Sequence, residues 1–221
     1  METGQRDWYQ YSIDSGIENP LPVLRNLFDY NLPLYTKICK HAKAGSRILE
    51  VGAGTGLFGM WLASVGYRAT QIDLDQRVVA LALENAERFN VPKERYSIRV
   101  GDANAVARIF SGEMFDLSYS GGLLEHFPEE NAIGLLRGMK AVSRKIVSVV
   151  PGKHMKVPRV DERPYTIGRL RKLHQQAGLK VIESFSFGDE PEWGRLYLPP
   201  IVRYALRRHF EIGSDIGVVY V

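Results

Sequence analysis

Short apolar runs alternate with longer amphipathic stretches over most of the chain. The runs have the length of strands, and the stretches between them carry apolar residues at helical spacing. Strands are predicted at residues 47–51, 69–72, 96–100, 115–119, 145–150, 180–187 and 216–221. Helices are predicted at residues 57–65, 76–89, 103–110, 129–142 and 167–177. Strands separated by crossover helices imply a mostly parallel sheet covered on both faces.

The two ends of the chain depart from this alternation. Residues 23–42 are amphipathic but contain Pro33, so two helical pieces are expected before the first strand. Residues 189–210 are aromatic, basic and interrupted by prolines. A last strand that returns from this segment beside the sixth strand would be antiparallel to its neighbours. The predicted fold is α/β, with a seven-stranded, mostly parallel, doubly wound sheet and an antiparallel last strand.

A chain of 221 residues fits one compact domain. Its expected parts are an N-terminal helical segment at residues 1–44, a core at 45–187, an insert at 188–213 that could cap a pocket, and the last strand at 214–221. No apolar run approaches the roughly 20 residues of a membrane span. The N-terminus lacks the apolar core of a signal peptide, so a cytoplasmic protein is expected.

The net charge of +4 arises in residues 151–221, which hold 12 Lys and Arg against 8 Asp and Glu. This surplus is too small to indicate a nucleic-acid partner. Cys39 is the single cysteine, which excludes an internal disulfide and a Cys-based zinc site. We expect it to be a small core residue.

Three glycines follow the first strand: Gly52, Gly54 and Gly56. Missing side chains let the backbone approach a ligand, and the next helix offers unpaired N–H groups there. The spacing differs from the Gly-x-Gly-x-x-Gly of dinucleotide sites because position 57 is Leu. The preceding Glu50 would repel a diphosphate and attract a cationic amino group. A nicotinamide dehydrogenase is therefore disfavoured.

Acidic residues end the next two strands. Asp73 could accept hydrogen bonds from both hydroxyls of a ribose. Asp102 could accept one from the amino group of adenine, with Leu74 or Ala103 against the ring. Asp102 could equally be a plain helix cap, and Asp75 is interpreted as one. Together with the glycine turn, these features predict a site for an adenosine joined to a group that carries an amine.

The sequence resembles the class I S-adenosylmethionine-dependent methyltransferases over about residues 45–187. Residues 48–56, Ile-Leu-Glu-Val-Gly-Ala-Gly-Thr-Gly, are similar to the family's first motif. Residues 71–75 and 101–103 look like the second and third motifs, and residues 115–127 like the fourth motif and the turn after it. The resemblance implies a Rossmann-like fold with an antiparallel last strand and S-adenosylmethionine as the cofactor.

The resemblance also implies which residues surround the cofactor. They are Glu50, Gly52, Ala53, Gly54 and Gly56 at the methionine part, Asp73 at the ribose, Leu74, Asp102 and Ala103 at the adenine, and Ser120 with Gly121 near the reactive methyl group.

Methyl transfer from a sulfonium requires alignment, and a base only if the acceptor atom carries a proton. Glu125 and His126 are the catalytic candidates, because His126 could take up a proton near neutral pH. Alternatively, Glu125 caps a backbone amide and His126 packs under the cofactor. Some families carry a metal-binding Glu-x-x-Glu-His in this loop, but Gly122 replaces the first acid here. No metal is expected, although His154 follows downstream.

The fourth strand is followed by neither Asn-Pro-Pro-Tyr, Asp-Pro-Pro-Tyr nor Pro-Cys, which favours a small-molecule acceptor over a nucleobase or glutamine amide. Tyr11 and Tyr165 are the predicted acceptor contacts. Residues 195–210 could form a lid over an anionic or aromatic acceptor, or touch a membrane surface. An RNA or protein acceptor, a non-catalytic cofactor-binding protein, and the oligomeric state remain open.

Overall fold

The computed structural model of the chain describes residues 7, 9–10, 20–153, 163–188, 199, 202 and 215–221. In this part of the chain one sheet has the strand order β3-β2-β1-β4-β5-β7-β6. The strands are β1 Arg47–Val51, β2 Arg68–Asp73, β3 Tyr96–Val100, β4 Leu117–Gly121, β5 Ile146–Pro151, β6 Val181–Phe187 and β7 Asp215–Tyr220. Strands β1 to β5 are parallel, and β7 is antiparallel to both β5 and β6. The predicted fold class is confirmed.

Helices cover both faces of the sheet. They are α1 Pro20–His41, α2 Leu57–Ser64, α3 Gln76–Arg88, α4 Val106–Ile109, α5 Glu129–Val142 and α6 Ile167–Gln176. Buried residues of α1, α2 and α3 form one core against the sheet, and those of α4, α5 and α6 form the other. This two-sided burial explains why the strands read as nearly continuous apolar runs.

The prediction of two helical pieces before β1 is wrong, because Pro33 lies inside the single helix α1. A proline within a helix removes one hydrogen bond and crowds the preceding turn. Here the following residues Leu34, Tyr35 and Ile38 are all buried against the sheet. The packing of these three side chains on the sheet outweighs the cost of a proline inside the helix.

The prediction that Cys39 is a core residue is also wrong, since its side chain is exposed. The adjacent Ile38 is fully buried and occupies the inward position. Successive residues of a helix point about 100° apart, so both cannot face the core.

Polar contacts fix the C-terminal half of α1 to β6. The Glu183 carboxylate accepts hydrogen bonds from Lys37, from Lys40 at 2.9 Å and from the His41 ring at 3.3 Å. Partial burial opposes ionisation, but these hydrogen bonds prevail and lower the pKa of Glu183 to about 2. The helix is thereby held across the β5-β7-β6 side of the sheet.

The strand order reverses between β1 and β4, which pair in parallel with Glu50 opposite Tyr119. A crevice forms at such a point beyond the carboxyl ends of the strands, because the two following connections leave toward opposite faces. The glycine turn follows β1, and Gly121 ends β4. The sheet therefore brings the predicted cofactor residues to one edge.

Most of the predicted insert lies outside the described residues, so the division of the domain stays a prediction. Within the described ranges, every helix is too short or too polar to cross a lipid bilayer.

Candidate active site

The turn after β1 is held open by its glycines. Gly52, Gly54 and Gly56 have φ values of 80°, 51° and 74°, in the left-handed region that favours glycine. The amides of Gly52 and Ala53 donate to the Ile72 carbonyl at 3.0 and 3.1 Å, which fixes the turn to β2. A Cβ at Gly54 would meet no atom within 4 Å. The middle of the turn therefore faces open space.

Asp73 lies at the end of β2 and is joined to this turn. Its Oδ2 accepts a hydrogen bond from the Gly54 amide at 2.9 Å, and its Oδ1 accepts one from the Asp75 amide at 3.1 Å. Burial raises the pKa of Asp73, and the two amides oppose the shift. Each carboxylate oxygen keeps a second lone pair, which a ribose hydroxyl can use.

The expected adenine side is formed by residues after β2 and β3. Leu74 is 65% exposed, a large apolar side chain left open beside Asp73. Asp102 accepts hydrogen bonds from the amide and side chain of Asn104 at 2.8 and 3.0 Å, so it does cap the short 3-10 turn Ala103–Ala105. A capping carboxylate retains free lone pairs, and its contact with adenine stays a prediction.

Glu50 lies in β1, just before the glycine turn, and is buried. Its carboxylate accepts a hydrogen bond from Gln71 and lies beside the Tyr119 hydroxyl. Burial raises the pKa of Glu50 to about 8. Sequence reasoning missed Gln71, whose signal is a polar residue inside the apolar strand β2.

The end of β4 forms the other side of the crevice. Ser120 is fully buried, and among the described residues its hydroxyl has no hydrogen-bond partner. Gly121 is exposed, and a Cβ there would lie 4.0 Å from Leu34 of α1. Sequence reasoning missed Leu34, because only the fold brings α1 to this edge.

The loop after β4 brings the catalytic candidates together. Glu125 is 1% exposed, and its Oε1 lies 3.9 Å from Nε2 of His126. Tyr165 is also buried, and the Glu125 charge contributes to its raised pKa, after burial itself. The hydroxyl of Tyr165 has no hydrogen-bond partner among the described residues. An acid, an imidazole and a phenol thus share one region.

Other predicted contacts lie outside the described residues: Tyr11, His154 and most of residues 193–210. The described ranges contain no group of three metal-ligating side chains.

The crevice fits S-adenosylmethionine on three observations. The turn is open at Gly54, the carboxylate of Asp73 lies 2.9 Å from the amide of that glycine, and the buried hydroxyl of Ser120 is free to bond a ligand. An amino acid joined to an adenosine offers the ammonium, carboxylate and hydroxyl groups that such a surface binds.

Known proteins support this assignment. A family model described as "Methyltransferase domain" matches residues 48–145. A candidate ribosomal RNA large subunit methyltransferase of Methanocaldococcus jannaschii is 38% identical over 80 residues, which are 35% of this chain and 21% of that protein. An S-adenosyl-L-methionine-dependent Diels-Alderase of Talaromyces variabilis is 32% identical over 123 residues, which are 55% of this chain and 38% of that protein. The similarity thus spans well under half the length of these relatives.

The fold has close counterparts among solved structures. Magnesium protoporphyrin IX methyltransferase of Synechocystis PCC 6803, with bound S-adenosylhomocysteine, superposes with a TM-score of 0.62. The two chains are 14% identical, and the match covers 99% of this chain and 89% of the other. The family match over residues 48–145 and the shared fold support a class I S-adenosylmethionine-dependent methyltransferase domain, with S-adenosylmethionine as its cofactor.

Proposed function

We propose that the protein transfers the methyl group of S-adenosylmethionine to a small-molecule acceptor. The observation that carries the acceptor class is the position of α1 beside β4. Leu34 is 3% exposed and would contact any side chain added at Gly121. A helix packed this closely beside the end of β4 favours an enclosed acceptor space over an open groove for a macromolecule.

One turn earlier, the same helix contacts the start of β7 and the end of β6. The Tyr30 hydroxyl donates a hydrogen bond to the Asp215 carboxylate, and the Tyr30 ring meets Phe187 edge-on at 5.8 Å. Asp215 begins β7 and pairs with Pro151 at the end of β5. These contacts support an acceptor space bounded by α1, the carboxyl ends of β4 and β5, and the start of β7.

When bound, S-adenosylmethionine supplies a sulfonium-activated methyl group, whose C–S bond breaks as the acceptor atom attacks, leaving S-adenosylhomocysteine. An oxygen or nitrogen acceptor must also lose a proton. His126 is the proposed proton acceptor, with the buried Glu125 beside it to stabilise the charged ring. Tyr165 is the proposed hydrogen-bond donor to the acceptor, because its buried hydroxyl is free among the described residues.

The names of similar proteins leave the acceptor class open. The Synechocystis structure is named for a small-molecule acceptor, and the Methanocaldococcus protein for ribosomal RNA. The Talaromyces protein is named for a Diels-Alder reaction that depends on S-adenosylmethionine. The packing of Leu34 beside Gly121 is the reason to prefer a small molecule.

The test follows a labelled methyl group. The protein is incubated with methyl-labelled S-adenosylmethionine and, separately, with small-molecule, RNA and protein fractions of a cell extract. We expect label in the small-molecule fraction, and less label with the Asp73→Ala variant at a cofactor concentration below saturation. Label in RNA or protein would overturn the acceptor class. Cofactor binding without any transfer would favour a non-catalytic role.

A further inference from the structure

Gln71 links three strands to the glycine turn. It lies within β2 and is fully buried. Its Nε2 donates to the Glu50 carboxylate of β1 and, at 3.3 Å, to the Gly56 carbonyl. Its Oε1 accepts a hydrogen bond of 2.6 Å from the Tyr96 hydroxyl of β3. The amide therefore uses both its donor and its acceptor to link the turn to three strands.

The first turn of α2 rests directly on this amide. A Cβ at Gly59 would lie 2.5 Å from Cδ of Gln71, so that only glycine fits there. A Cβ at Gly56 would lie 2.9 Å from the Tyr96 hydroxyl and 2.7 Å from Ala82. The turn and the start of α2 are thus seated on the Gln71–Tyr96 pair at close contact.

The orientation of the Gln71 amide is fixed by its partners. Tyr96 donates to Oε1, which leaves the NH2 group facing the Glu50 carboxylate and the Gly56 carbonyl. An amide turned the other way would place its oxygen against both of these acceptors. Tyr96 is therefore the group that keeps the donor pointed at the turn.

Other ionisable groups face Glu50 from each neighbouring element. They are Tyr119 of β4, Tyr35 of α1, Tyr96 of β3 and Asp73 of β2. None of them is a cation, and burial raises the pKa of Glu50. The hydrogen bond from the Gln71 amide and the one from the Gly59 backbone N–H oppose this shift.

We propose that Gln71 is a positioning residue for cofactor binding, which ties Glu50 to the Gly56 carbonyl and so fixes the glycine turn before the cofactor arrives. Tyr96 holds the amide in the required orientation. Neither residue needs to touch the cofactor. Their effect is preorganisation, because a turn that is already rigid loses less conformational entropy on binding.

The first arm of the test measures the affinity for S-adenosylhomocysteine by calorimetry, at a temperature where every variant is folded by circular dichroism. Gln71→Met keeps the length of the side chain but removes its donor and acceptor. We expect its affinity to fall about 10- to 100-fold, and that of Tyr96→Phe by a smaller factor. Tyr220→Phe is the matched control, since that buried hydroxyl has no partner among the described residues. It should bind like wild type.

The second arm uses pH to separate positioning from simple packing. In Gln71→Glu a protonated carboxyl can accept from Tyr96 and donate to Glu50, but it has no second hydrogen for the Gly56 carbonyl, whereas an ionised carboxyl cannot donate at all. Its affinity relative to wild type should therefore recover in part between about pH 8 and about pH 6, because two neighbouring carboxyls share a proton at the lower pH. Gln71→Met should show no such recovery.

Three results would overturn the proposal: wild-type affinity in Gln71→Met, wild-type affinity in Tyr96→Phe, or an equal loss in Gln71→Glu at both pH values. A wild-type protein that binds no S-adenosylhomocysteine would remove the cofactor assignment together with this proposal. Normal binding by wild type without any methyl transfer would leave the positioning role standing and remove the proposed function alone.

Discussion

The amide of Gly54 donates a hydrogen bond of 2.9 Å to the carboxylate of Asp73, which joins the glycine turn to the acid at the end of β2. The Asp73 carboxylate thus fixes the shape of the turn and keeps lone pairs that can bind a ligand. The crevice is preformed on this side, which lowers the entropic cost of binding.

Replacing Asp73 with Ala should weaken S-adenosylhomocysteine binding by about 1 to 3 kcal/mol, the usual cost of leaving buried polar groups unpaired. Calorimetric titration measures the change. Asp75→Ala is the control, because Asp75 caps α3 through the Arg77 amide at 2.8 Å. It should lower the stability by about 1 kcal/mol and leave the affinity unchanged. Equal affinities for Asp73→Ala and wild type would contradict the ribose assignment.

Replacing Gly54 with Ala should abolish most cofactor binding, because the new methyl group would enter the open space of the crevice. The positive φ of 51° also strains an alanine, at about 1 to 2 kcal/mol of folding free energy. Gly45→Ala is a matched control, with φ of 84° and equally open surroundings outside the crevice. Thermal melts should show similar losses in both variants, and titration a binding defect in Gly54→Ala alone. A shared binding defect would show that strain, not the site, is responsible.

Replacing His126 with Ala should slow methyl transfer about 100-fold or more while S-adenosylhomocysteine binding changes little. The ring is proposed to act on the acceptor's proton, which the cofactor product lacks. Comparing kcat with the dissociation constant separates the two effects. An unaltered kcat would remove His126 from the mechanism, and a loss confined to binding would support packing under the cofactor.

Acid should destabilise the protein through His174. Burial lowers the pKa of this ring from 6.5 to about 3, and the neutral ring contacts Ser148 at 3.0 Å. A lowered histidine pKa stabilises the fold above pH 6.5, and that stability is lost as the pH falls toward 3. The loss is about 1.4 kcal/mol per pH unit for one proton. Urea unfolding of wild type and His174→Gln at about pH 7 and about pH 5 should show a smaller acid loss in the variant. Parallel losses would assign the acid sensitivity to other groups.

Glu50 should act in the opposite direction. Its pKa is raised by burial from 4.5 to about 8, so its contribution to stability is full below pH 4.5 and is lost as the pH rises through 8. Glu50→Gln cannot ionise and should gain stability relative to wild type between about pH 5 and about pH 8. Urea unfolding at both pH values measures this gain. A constant difference between the two proteins would falsify the raised pKa.

Much of the cofactor half of the protein could be predicted from local pattern. The candidate cofactor residues lie at the carboxyl ends of apolar strands or just after them, and parallel strands end at one edge of a sheet. Asp73 and Gly54 therefore had to lie near each other once the strands were recognised. The same reasoning placed β7 antiparallel, because the long segment before it leaves room for the chain to reverse.

The sequence pattern did not predict contacts between side chains from distant segments of the chain. The presence of Pro33 predicted a break in the N-terminal helix, but α1 is continuous. Burial of Leu34, Tyr35 and Ile38 against the sheet stabilises it. The pattern also did not predict that the Glu50 carboxylate accepts a hydrogen bond from Gln71, and the contact of Glu50 with the cofactor stays a prediction.

By itself the sequence determined the alternation of strands and helices, the glycine turn and the acids that follow the strands, because these depend on periodicity and on residues near each other in the chain. The tertiary structure alone decided that Leu34 lies over Gly121, that Tyr30 reaches Asp215 and that Gln71 supports the turn. Such contacts join residues far apart in sequence, and they form only when the buried faces of the helices pack against the sheet.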